Sequence, residues 1–110
     1  MNRPRMTGSA TALLRLLLQR AGPERHRILL SEWSSTDWQS LTFSGERHAA
    51  SFTVAGEDAM SLAQQWTSGL SDAEFDLPHG FVAEIGLAAP PCRREDGMVT
   101  VALEALTLAD

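Results

Sequence analysis

The run Asp76-Leu-Pro-His-Gly80 sets a histidine between a proline and a glycine, with a carboxylate shortly before it. Pro78 and Gly80 can fix His79 at the rim of a pocket, where Asp76 would orient the imidazole as a general base. The same residues also make an ordinary turn, because proline and glycine set its backbone angles. No nucleophile or second base stands at a recognisable spacing from His79, which favours the turn.

Other reactive side chains are equally isolated. Cys92 precedes Arg93 and Arg94, whose charge favours a thiolate, but Glu95 and Asp96 neutralise the same loop. With no second cysteine in the chain, neither an internal disulfide nor a resolving thiol is available. Asp72, Glu74 and Asp76 alternate along one connection but lack the glycine and terminal glutamate of a calcium loop. His26 and His48 fall near strand ends as scattered singles, without metal-ligand spacing. Trp33 and Trp38 could stack a base or sugar, but acids accompany them where a nucleic-acid groove would be basic. Both read as core or interface anchors. No P-loop, dinucleotide fingerprint or Gly-x-Ser-x-Gly elbow occurs. The expectation is a non-enzyme with no cofactor and no metal.

The elements that would carry these residues begin with TALLRLLLQRA, Thr11 to Ala21. Leu13, Leu14, Leu16, Leu17 and Leu18 cover about 200° of a helical wheel, against the ~100° stripe that a helix on one sheet needs. Ser9 or Thr11 can cap the helix start, while Gly22 and Pro23 end it. The run is too short to span a bilayer, and Arg15 interrupts any secretory signal. The surplus apolar arc predicts an interface formed by these five leucines, and hence a homodimer.

Further on, His26–Trp33, Trp38–Ser44 and His48–Ala55 read as a three-stranded antiparallel meander, with turns at Ser34–Asp37 and at Gly45–Arg47. A second helix follows, with Ala59, Ala63, Trp66 and Leu70 on one stripe. Two strands close the chain. In the first, Phe81, Ala83, Ile85 and Leu87 alternate. In the second, Met98–Leu108, Leu106 and Leu108 switch face, which requires a bulge or a strand end covered on both sides. The fold class expected is α+β: a roughly five-stranded antiparallel sheet with helices on one face. Its order is similar, at the level of topology only, to the acidic, dimeric chaperones of bacterial type III secretion. Those add a C-terminal helix that the residues up to Asp110 do not supply, and no motif carries the likeness.

One domain suits 110 residues with 44% apolar and 21% charged side chains. Residues 1–8 read as a flexible basic tail and 9–110 as the domain. The basic residues are all arginine. Six lie within residues 1–27 and give that stretch +5, while the rest of the chain stands at −10. A body so acidic repels phosphate, so the basic stretch is expected to lie on protein rather than on nucleic acid or membrane. The sequence thus predicts a self-associating, cytoplasmic interaction protein that can also meet another protein. The alternative is a small-ligand protein or minor enzyme, with a pocket between the sheet and the second helix near His79, Trp66 and Phe81.

Overall fold

The computed structural model describes residues 6–110. It contains helix α1 (Gly8–Arg20), strands β1 (Ile28–Gln39) and β2 (Ser44–Val54), and helix α2 (Ala59–Thr67). Strands β3 (Asp76–Leu77), β4 (Gly80–Leu87), β5 (Cys92–Arg93) and β6 (Val99–Ala109) follow. Short 3-10 segments cover Gly22–Arg27 and Leu70–Asp72. The α+β class, the antiparallel sheet and the helices on one face are as the sequence leads one to expect.

The sheet runs β1-β2-β6-β4-β3, with β5 pairing to β6 beyond the end of β4, and every pairing is antiparallel. β6 is the central strand. Its odd-numbered residues Val99, Val101, Leu103 and Ala105 are buried on the helix side, together with Ala50, Phe52 and Val54 of β2. Leu13 and Leu17 of α1 and Leu62, Ala63 and Trp66 of α2 complete that core. Phe52 lies at its centre, edge-on to Trp66 with ring centroids 5.0 Å apart.

Two strand assignments differ from the sequence reading. β1 runs unbroken through Ser34–Asp37, so the expected first turn is strand and the meander is a hairpin of two long strands. The reversal lies at Ser40–Phe43, where the Ser40 amide donates to the Phe43 carbonyl at 2.8 Å. Gly45 is inside β2, and its role is close approach: a Cβ there would overlap the Thr107 carbonyl oxygen. In β4 the expected alternation of Phe81 with Ile85 fails, because the register to β6 shifts between Val82 and Glu84. Ala83 is the extra residue, and the bulge turns Phe81 to the face opposite Ile85. β6 pairs with β2 without a shift from Val99 to Leu108, so Leu106 and Leu108 mark a strand end covered on both sides.

Helix α1 starts earlier than expected. Thr7 is its N-cap, accepting the Ala10 amide at 3.1 Å, and both Thr7 and Ser9 donate to the Glu46 carboxylate of β2. Ordered structure therefore reaches into the span read as a tail, whose residues 1–5 lie outside the described residues. At its other end, α1 is tied to α2. The Trp66 indole donates to the Leu17 carbonyl at 2.8 Å, and Arg20 donates to the carbonyls of Trp66 and Ser68. Arg27 similarly holds the Ala55 and Glu57 carbonyls and pairs with Glu24 at 3.0 Å. These basic side chains serve the chain's own backbone.

Candidate functional site

Three surfaces have the makings of a site: a cavity at one end of the sheet, the face that carries no helix, and the outer edge of β1. The cavity lies under the first residues of α1 and encloses about 420 Å³. Ser9, Asp37, Glu46 and His79 bring polar groups to it, and Leu77, Pro78 and Leu108 contribute apolar surface. Asp37 and Glu46 are direct cross-strand partners, an unfavourable pairing of like charges that the two hydroxyl donors to Glu46 offset. His79 sits in the Leu77–Gly80 turn, exposed at the rim.

Behind the cavity wall is a buried polar network centred on His48, which is only 2% exposed. Its Nδ1 lies 2.8 Å from Ser35 Oγ and 3.3 Å from Trp33 Nε1, and its Nε2 lies 2.9 Å from Thr107 Oγ1. The Trp33 indole N–H is shared between His48 Nδ1 and Ser35 Oγ, the latter at 3.1 Å, and where it donates to Nδ1 the proton of the neutral ring resides on Nε2. The Thr107 hydroxyl then donates onward to the Glu46 carbonyl at 3.5 Å. Burial holds the His48 pKa below its ordinary value, and the nearby Glu46 charge opposes that shift less strongly. Among the described residues, no buried side-chain nitrogen or oxygen lacks a partner. The network is a satisfied structural device. The sequence signal for it was the alternation of β2, which puts His48 in phase with Ala50 and Phe52.

On the helix-free face, cross-strand rows can be read from the register. Arg47, Leu106 and Glu84 are neighbours on β2, β6 and β4, and the Arg47–Glu84 ion pair at 3.3 Å covers Leu106. In the next row, Trp38, Gly45, Leu108 and Phe81 stand side by side, and Phe43 meets Phe81 edge-on at 6.2 Å. This corner covers Leu108 yet leaves its own apolar groups bare: Phe43 is 45% exposed, Phe81 40%, and Leu41 in the turn fully exposed.

The two margins of the sheet are unlike. Beyond β4 lies β3, and the Leu70–Asp72 turn packs against β4 as well. Among the described residues, β1 pairs on one side only along its whole length. A bulge between Leu30 and Glu32 is its main irregularity, and the stretch from Glu32 to Gln39 is regular. Leu29 and Leu30 at its start remain exposed.

The leucines expected to form an interface divide. Leu13 and Leu17 are buried in the chain's own core, whereas Leu14, Leu16 and Leu18 are half-buried, with Leu14 and Leu18 packed at the core's margin. The three residues of the expected ligand pocket are not brought together around the cavity. His79 lines it, but Trp66 is buried between α2 and Phe52, and Phe81 lies on the helix-free face. The helix over the cavity is α1 rather than α2, because α2 ends against the Leu17 turn of α1. Among the described residues, no group of three or more His, Cys, Asp or Glu is placed to hold a metal ion. No helix among them is long and apolar enough to cross a membrane.

No family model matches this chain, and no curated protein matches it. Among solved structures, it is similar in fold to a chain from the virion of a native gene transfer agent particle. That likeness has a TM-score of 0.51 and 18% sequence identity, and covers 74% of this chain and 68% of the other.

Proposed function

We propose that this chain is a non-catalytic structural subunit that associates with copies of itself within a larger protein particle. The observation that carries this reading is the bare apolar corner of Leu41, Phe43 and Phe81 on a sheet face that no helix covers. Clustered exposed aromatic and aliphatic side chains mark protein contact surfaces. The virion likeness supplies a setting of the same kind, a particle built from many chains. A reducing cytoplasm, the compartment in which such a subunit would be made, suits the single exposed Cys92. The test is size by light scattering across a dilution series, for the natural chain and for the double variant Phe43→Ser/Phe81→Ser. Oligomers that the double variant loses support the reading. A natural chain that stays monomeric at high micromolar concentration overturns it.

A second reading is favoured by the cavity, where Ser9, Asp37, Glu46 and His79 converge over apolar surface as a small-ligand site requires. Thermal stabilisation by members of a metabolite library, independent of protein concentration, is the result it demands.

A further inference from the structure

We propose that the open edge of β1 pairs with β1 of a second copy, antiparallel, with Ser35 on the two-fold axis. This rests on the self-associating reading above and adds to its aromatic corner a second contact surface, the outer edge of β1. An edge strand presents a row of unpaired backbone donors and acceptors, and proteins ordinarily blunt such edges by covering or shortening them. Here the β4 margin is covered by β3 and the Leu70–Asp72 turn, and the β1 margin is left open over 12 residues. β1 contains neither lysine nor proline.

The occupant follows from the pattern of the strand itself. Large apolar side chains are exposed at both of its ends, Leu29 and Leu30 at the start and Leu41 just past the finish. Ser35 is midway between Leu29 and Leu41 in sequence. With one residue at the Leu30–Glu32 bulge taken out of the ladder, a two-fold at Ser35 brings the Ser40–Phe43 reversal of each copy, with Leu41, to the Ile28–Leu30 end of the other. The regular stretch Glu32–Gln39 supplies the ladder between these ends. In this register Glu32 faces Trp38, Trp33 faces Asp37, and Ser34 faces Thr36, so no acid meets an acid. A slip of one residue, toward the strand start, would set Glu32 against Asp37. It would also put the helices of the two copies on opposite faces of the joint sheet, since side chains alternate. The proposed register keeps all helices on one face and gives the half-buried Trp33 and Trp38 a second neighbouring strand. A foreign strand would have to reproduce this matched spacing, which a second copy has by construction.

The experiment uses the full chain with Cys92→Ser, so that introduced thiols report alone. Chains carrying Ser34→Cys and chains carrying Thr36→Cys are mixed under mild oxidation, and each is also oxidised alone. The mixed disulfide dimer is expected to exceed both homotypic dimers, because Ser34 faces Thr36 across the axis. Equal or absent cross-linking overturns the register. Leu29→Asp, at an exposed position on β1 outside the aromatic corner, is expected to weaken association by about ten- to a hundredfold, the scale of unburying one leucine. If the natural chain associates and Leu29→Asp changes nothing, the edge pairing falls while the structural-subunit reading survives. If the natural chain never associates in a dilution series, both fall, and a strand from a different protein becomes the remaining occupant of the edge.

Discussion

The two faces of the sheet bury apolar surface by different means. On the helix side, Phe52, Val54, Val99 and Val101 are fully enclosed by two helices, and the polar groups that intrude, His48 and Thr107, satisfy one another. On the other side, no element among the described residues lies over Leu106 and Leu108. They are covered by one ion pair and one pair of aromatic rings drawn from neighbouring strands. The first arrangement supplies stability, since area removed from water is large and packing is close. The second is a thin cover that keeps water off two leucines while displaying the covering groups themselves. The difference teaches where change is costly and where the surface is free to specialise.

Three measurements sharpen that contrast. Phe52→Ala should cost the most, about 3–5 kcal/mol, since it removes a fully buried ring that touches both Trp33 and Trp66. Urea unfolding monitored by tryptophan fluorescence reads this, and a loss under 1 kcal/mol would show that the helix side is not the principal core.

A change of intermediate size comes from acid. The His48 pKa is lowered on folding, so between its folded value and the ordinary value near 6.5 the unfolded chain binds more protons. Its contribution to stability is complete above the ordinary value and declines as pH falls below it. Unfolding midpoints taken across that range should fall with pH more steeply for the natural chain than for His48→Gln. Parallel profiles would remove the role assigned to His48.

The smallest effect belongs to the helix-free face, where Glu84→Gln breaks the exposed ion pair over Leu106. A loss of no more than about 1 kcal/mol is expected, shrinking further in high salt. A loss as large as that of Phe52→Ala would erase the distinction between the faces.

The sequence disclosed the helix-side core well, because Ala50, Phe52 and Val54 alternate and the helix stripes repeat at their own period. It misled where one residue type serves two purposes. Ser34–Asp37 has the composition of a turn, yet on an edge strand with solvent beside it small polar side chains are equally at home. Gly45 has the sequence context of turn punctuation, yet it is glycine because Thr107 of the adjoining strand comes too near for any side chain. The surplus leucine arc of α1 is largely absorbed internally: Leu13 and Leu17 enter the core, and Leu14 and Leu18 pack on its margin. Of the three residues expected around a pocket, only His79 lines the cavity, which lies under α1. Asp37, Glu46 and Ser9 come from three separate elements, and no local spacing could have joined them.

The single extra residue at Ala83 has a consequence for comparing this chain with distant kin. It resets the phase of β4 midway, so that odd-numbered residues before it share a face with even-numbered residues after it. Relatives that lack the insertion would line up in hydropathy on only one side of that point. Their correspondence with this chain is recovered by a one-position gap at Ala83, and without it the aromatic corner would be matched against core positions.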